Sequence, residues 1–215
     1  MKVEIVIYTL NFVDIYSGWA EPIAIKNKAS IWVLQGLIKI KNRLPYDLLG
    51  IDSDSGYEFI NKPMLKWCQE NNIKFTRGRG YYSNDNCYVE QKNYSVIRQI
   101  VGYFRYDTEE ELYWLNRLYG FLRLYINFFQ TVMKMTKKER IGSKVKKRYD
   151  DIKTPYKRLV ESPYLTDSQK ERLNKIYNEL DIYELKREII KCQKKLFEIN
   201  KKKNKFLEED FNGTA

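Results

Sequence analysis

Residues 48–90 read LLGIDSDSGYEFINKPMLKWCQENNIKFTRGRGYYSNDNCYVE. Leu48 to Ser53 is a short apolar strand, and Asp54 follows it ahead of Ser55-Gly56, where the glycine lets the backbone turn sharply. Pro63 to Asn71 reads as a helix presenting Leu65, Trp67 and Cys68, and Ile73 to Thr76 as a second short strand. Arg77 to Tyr82 is a loop with two glycines. A helix from Asn84 to about Tyr103 carries Val89, Val96, Ile97, Ile100 and Val101 at core spacing, with Glu90 in its second turn.

Working outward, Val3 to Ile15 is rich in β-branched and aromatic residues, apolar on both alternating faces and free of Gly and Pro, so it is expected as one strand buried on both sides. Ser17-Gly18 breaks it, and Trp19 to Ile25 reads as its hairpin partner, with Pro22 suited to an edge. Asn27 to Arg43 is an amphipathic helix with Ile31, Leu34, Leu37 and Ile38 at helical spacing, ended by Pro45. Downstream, Thr108 to Phe129 is a helix with Leu112, Leu115, Leu118, Leu122, Tyr125 and Phe129 inward, and Thr108 with Glu111 forms a capping box. The order β-β-α-β-α-β-α-α is an α/β pattern.

Behind this core, 134–158 reads as basic, polar and irregular. Thr166 with Gln169 and Asp181 with Glu184 mark two further helix starts. From the second, Ile182, Leu185, Ile189, Cys192, Leu196 and Ile199 alternate spacings of three and four, a seam for a partner helix in the same chain or in a second one. The expected division is a core over 1–130, a basic segment over 131–163, C-terminal helices over 164–208 and a disordered tail over 209–215.

The net charge of +11 is unevenly placed. Residues 1–133 hold 16 basic and 14 acidic side chains, whereas 134–158 hold 11 and 3, and 191–205 hold 7 and 1. A nearly neutral front with a basic rear is the distribution expected where a folded domain is tethered to a polyanion. The chain has no His, which excludes Ser-His-Asp triads, Cys-His nucleophiles and His-bearing zinc sites. Three scattered cysteines, Cys68, Cys87 and Cys192, give no disulfide framework. No apolar run approaches the roughly 18 residues of a membrane span, and a cytoplasmic, nucleoid-associated protein is expected.

Catalysis without His has to rest on carboxylates. Asp54 at a strand end and Glu90 in a helix could share a divalent metal, because Mg²⁺ takes one or two carboxylates and fills its octahedron with water and substrate phosphate. Two such ions activate the attacking oxygen and stabilise the leaving one. Each residue also has a plain reading: an Asp before Ser-Gly serves a turn, and a Glu in the second turn of a helix favours the dipole.

SDSGYEFIN at 53–61 followed by FTRGRGYYSNDNCYVEQKN at 75–93 closely resembles the integrase core of bacterial insertion-sequence transposases, relatives of retroviral integrases. The 35 residues between Asp54 and Glu90 match the family's spacing between its second and third catalytic acids. NFVDIYSGWAEPIAIKNKA at 11–29, RLPYDLLGIDSD at 43–54, LYGFLRLYINFF at 118–129 and RIGSKVKKRYDDIKTPYKRL at 140–159 resemble it in order. The resemblance implies an RNase H-like mixed sheet flanked by helices. It also implies strand transfer by Mg²⁺- or Mn²⁺-assisted attack on phosphodiesters, with Asp54 and Glu90 as metal ligands. In that family the first catalytic Asp lies on a strand pairing with the one at residues 3–15, and those residues hold no turn, so the first strand is missing here. Asp14 lies at the far end of the second strand and reads as structural. Asp52, on the same side as Asp54 by period two, is the spare ligand. Ser55, Gly78 and Gly80 depart from the family's usual residues.

DNA is the expected partner, together with further copies of the chain or an intact transposase; no membrane and no small-molecule substrate is expected. Arg77 and Arg79 flank glycines in the loop before the Glu90 helix and can reach phosphates. Asn93 shares a helix face with Glu90, while Lys92 points largely away. Lys144, Lys146, Lys147 and Arg148 are the phosphate contacts of the basic segment, with Tyr149 and Tyr156 for stacking. Two other functions are weighed beside a transposase inactive by itself: a non-catalytic DNA-binding or oligomerisation fragment that inhibits an intact transposase, and an RNase H-like nuclease.

Overall fold

Strands β1 (Tyr8–Val13) and β2 (Ala20–Ile25) form an antiparallel pair, with Leu10 opposite Ile23 and Val13 opposite Ala20. The computed structural model describes residues 6–53, 62–77 and 93–212. Gly18, at φ +77°, makes the turn that a side chain would resist. β2 is buried at every position, whereas on β1 only Leu10 and Val13 are buried and Tyr8 stays 39% exposed. The two-sided burial expected of the first strand is partial on β1, where Leu10 and Val13 face opposite ways, and complete on β2. Its Ala20 and Ala24 share a core with the long helix α4, and its Ile23 and Ile25 share the other with α1; β1 adds Val13 to the first core and Leu10 to the second.

Helix α1 (Ser30–Arg43) buries Val33, Gly36, Leu37 and Ile40, not the expected stripe: Ile31 is 59% exposed, and of the named residues only Leu37 is buried. The cause is Gly36. A Cβ there would lie 2.9 Å from Leu10 Cδ2 and 3.1 Å from Ile25 Cγ2, so the bare backbone sits directly on the sheet. Spacing of apolar residues cannot register a glycine at the point of closest approach. Strand β3 (Gly50–Ser53) leads through α2 (Lys62–Glu70) to β4 (Lys74–Arg77), which pairs with β3 in parallel, Gly50 opposite Lys74 and Ser53 opposite Arg77. On α2 the inward residues are Met64 and Cys68, and Leu65 faces solvent. Leu10, Ile23, Leu37, Ile51, Met64 and Ile73 belong to one core, so both strand pairs pack on the same helices. The pairs nevertheless stay separate: among the described residues, β1 and β3 each pair with another strand on one edge only.

A π-helical stretch (Asn93–Arg98) runs into the short helix α3 (Gln99–Val101), which Gly102 ends at φ +69°. Helix α4 (Glu109–Phe128) starts at the expected capping box: Glu111 N–H donates to Thr108 Oγ1 at 3.1 Å and Thr108 N–H to Glu111 Oε2 at 3.0 Å. Leu115, Leu118, Tyr119, Leu122 and Ile126 are buried along it. The segment expected to be irregular is instead a regular antiparallel hairpin, β5 (Met135–Ile141) with β6 (Lys144–Tyr149). Ile141 pairs with Lys144 across the two-residue loop Gly142-Ser143, and Gly142 has φ +62°, the positive value that such tight hairpin loops demand.

Helices α5 (Pro155–Val160), α6 (Asp167–Glu179) and α7 (Ile182–Asn212) follow. Thr166 caps α6 with Gln169 in a capping box, and the Asp181 carboxylate accepts from the N–H groups of Tyr183 and Glu184. Leu185, Ile189, Cys192 and Leu196 of α7 are buried in the core built on α4, so the seam closes within the chain. At its far end, Lys203 Nζ donates to Asp107 and Glu111 at 2.9 and 3.0 Å. No helix among the described residues is long and apolar enough to cross a membrane.

Candidate nucleic-acid interface

The carboxyl ends of β3 and β4 carry Asp52, Ser53 and Arg77. Asp52 is exposed on the face away from the core, and Thr76 Oγ1 donates to its Oδ1 at 2.7 Å; Arg77 is exposed beside it at the strand end. Asp54, Glu90, Arg79 and Lys92 lie outside the described residues, and Asn93 opens the π-helical stretch. Asp14 serves its own turn. Its Oδ2 accepts from Ser17 N–H at 2.7 Å and from Ser17 Oγ at 2.5 Å, and its backbone closes with Gly18 and Trp19. Among the described residues no group of three Asp, Glu or Cys could hold a metal ion.

The basic hairpin is anchored at its base. Lys134 Nζ donates to the carbonyls of Ile15 and Tyr16 at 2.8 and 2.5 Å. Lys134 N–H donates to Asp150 Oδ1 at 2.7 Å, and the Asp150 carboxylate pairs in bidentate fashion with Arg158. Arg158 also donates to the carbonyls of Val132 and Asp151, at 2.9 and 3.1 Å. The hydrogen bond from Arg158 is the main reason the Asp150 carboxyl titrates below its ordinary range. Lys134 is shifted down as well, by burial first and by Arg158 second. Lys153 and Lys157 pair with Glu161, the residue that caps the end of α5. Four of the segment's cations therefore serve the clamp or its flank.

The remaining cations are displayed. Lys137 pairs with its neighbour Glu139. Lys138, Arg140, Lys144, Lys146, Lys147 and Arg148 are exposed and have no ion-pair partner among the described residues. Paired residues of an antiparallel ladder share a face. The register places Lys138 opposite Lys147, Lys137 opposite Arg148, and Arg140 opposite Val145. Sequence reading had found Lys144, Lys146, Lys147 and Arg148 but missed Lys138 and Arg140. Gly-Ser between two alternating runs is the two-residue hairpin signal that would have joined the two halves.

A second basic surface lies elsewhere. A groove of about 660 Å³ between α4 and α7 is lined by Trp114, Tyr183, Lys186, Ile190, Lys191 and Lys194, among others, and it is not at the strand ends. Tyr183, Ile190 and Phe197 are exposed at seven-residue intervals along α7.

No family model matches the chain. The uncharacterized protein y4rM of Sinorhizobium fredii is 38% identical over 143 residues, which are 66% of this chain and 41% of that protein. The chain thus spans about two fifths of the length of that curated relative. Among solved structures, the catalytic core domain of BIV integrase aligns at TM-score 0.46 and 18% identity, covering 70% of this chain and 90% of that one. The HTLV-2 integrase catalytic core in complex with magnesium, in its trimeric form, aligns at TM-score 0.42 and 16% identity, covering 57% and 83%. A chain of the simian T-cell lymphotropic virus intasome with the PP2A regulatory subunit B56 gamma aligns at 0.46 and 14%, covering 59% and 48%.

Proposed function

We propose that the chain is the core and rear of a DNA transposase or integrase, with a site for strand transfer that needs a further strand to be complete. The observation that carries this reading is the break in the sheet. β1–β2 and β3–β4 share one hydrophobic core, yet each of β1 and β3 pairs with a strand on one edge only among the described residues. A strand laid between them, from sequence beyond this chain or from another chain, would pair with both and bring a third carboxylate beside the end of β3, which Asp54 follows in sequence.

Asp54 and Glu90 would hold Mg²⁺ or Mn²⁺, and the donor set fits, because hard divalent cations take carboxylate oxygen and the chain offers no His. When bound, the metal supplies activation of the attacking oxygen and charge neutralisation on the leaving one. Asp54 and Glu90 then fix where the phosphodiester sits. Arg77, with Arg79, Lys92 and Asn93, would hold the flanking phosphates, and the basic hairpin would keep the duplex close by.

The test is strand transfer from a pre-cut DNA end with Mg²⁺. The chain alone should give no product; product that Asp54→Asn or Glu90→Gln abolishes would overturn the claim of an incomplete site. Manganese binding followed by electron spin resonance checks the ligands themselves: each variant should weaken it, and unchanged binding in both would remove these residues from the site. The edges of β1 and β3 that have no strand partner among the described residues also favour a second reading, in which the chain joins multimers of an intact transposase and inhibits them.

A further inference from the structure

We infer that the β5–β6 hairpin is a two-stranded ribbon that lies in a groove of duplex DNA with one defined face inward, the face bearing Lys138, Arg140, Lys147 and Tyr149. This deepens the proposed function by naming the element and the face that hold duplex DNA, but it requires neither the metal site nor a completed sheet.

The two faces differ in composition. On the first lie Met135 with Tyr149, Lys138 with Lys147, and Arg140 with Val145, the bulge between Met135 and Lys137 keeping Met135 on that side. It carries three cations and no acid. Met135, Val145 and Tyr149 are large apolar residues left exposed, Tyr149 at 51%. The second face carries four cations, Lys137 with Arg148, Lys146 and Lys144, but it also has Glu139 in its middle, opposite Lys146 and paired with Lys137. Lys138 directly opposite Lys147 costs stability in the free protein, since like charges across a ladder repel. A phosphate near both reverses that sign.

Shape narrows the partner. Paired strands lie about 4.8 Å apart, and a major groove about 12 Å wide admits such a ribbon. The clamp of Asp150, Arg158 and Lys134 fixes the base of the ribbon, so it is presented already formed.

The experiment measures binding of the full chain to a 20-base-pair duplex by fluorescence anisotropy, in EDTA, across a salt series. Changing Lys138, Arg140 and Lys147 together to Gln should weaken binding at least tenfold. It should also make the slope of log K against log salt shallower by about 2.7, at about 0.9 per phosphate contact. The matched change of Lys144, Lys146 and Arg148 to Gln should cost less than threefold. Circular dichroism confirms that both triple variants stay folded, as substitutions on an exposed ribbon should. Equal losses in the two variants would overturn the assignment of a face. Tighter binding to a single strand of equal length, or to phosphatidylserine vesicles than to duplex, would overturn the partner. Because EDTA removes any metal, duplex binding that depends on this face while strand transfer fails in every setting would sink the catalytic reading and leave this one standing.

Discussion

The β1–β2 pair and the β5–β6 pair are both two-stranded and antiparallel, yet they handle polar groups in opposite ways. In β1–β2 the outer edge of β2 and the buried charge are matched by groups of α4. The outer edge of β2 is closed by side chains of α4: Asn127 bonds both the N–H and the C=O of Ala20 at 2.8 Å, and Asn116 bonds both groups of Ala24 at 3.1 Å. Pro22, between them, has no N–H to satisfy. The Glu21 carboxylate is fully buried, but it accepts from Arg123 Nε at 2.5 Å, from the Arg123 terminal nitrogen at 2.7 Å and from Trp19 Nε1 at 2.8 Å. In β5–β6 the cations are exposed and six are unpaired among the described residues. A segment that leaves its charges unmatched in the free protein is shaped by something other than its own stability.

Removing Arg123 is the sharpest way to break the first region. Arg123→Ala leaves the Glu21 carboxylate buried without its cation, and a loss of about 3–5 kcal/mol is expected in urea unfolding. Asn127→Ala should cost less, about 1–3 kcal/mol in all for the unmatched backbone of Ala20, read the same way. A change below 0.5 kcal/mol would mean that α4 does not close the β2 edge.

The smallest effect belongs to the hairpin clamp. A carboxyl whose pKa is depressed on folding adds stability above its ordinary value of 3.8, and that contribution fades as pH falls through the lower folded value. Amide exchange in β5 and β6 should therefore accelerate below pH 3.8 relative to the β1–β2 core, and Asp150→Asn should show the acceleration already at neutral pH. The global melting temperature should move by no more than about 2 °C. A large global shift would tie the hairpin into the core and erase the contrast between the two regions.

The candidate site divides along similar lines. Its carboxylates were legible as residue types at a spacing, and β3, α2 and β4 appear in the expected order, with β3 and β4 within two residues of their expected bounds. The basic segment was legible as charge but not as structure. Eleven basic residues in a row of 25 mask the alternation that marks a strand, because a strand displayed to solvent on both faces has no apolar side to alternate with.

The helix starts at Thr108, Thr166 and Asp181 were fixed by the sequence alone, since each cap closes within three residues and needs nothing from the rest of the chain. Three matters were decided only by tertiary structure: the face that α1 buries, the partner of the α7 seam, and the closing of the β2 edge. Gly36 matters because Leu10 and Ile25 lie against it, Leu185 to Leu196 close on α4 and not on a second chain, and Asn116 and Asn127 act on residues 92 and 107 positions away. Local hydrogen bonds are written in neighbouring residues; packing and edge closure depend on which distant surface arrives, and only the folded chain brings it there.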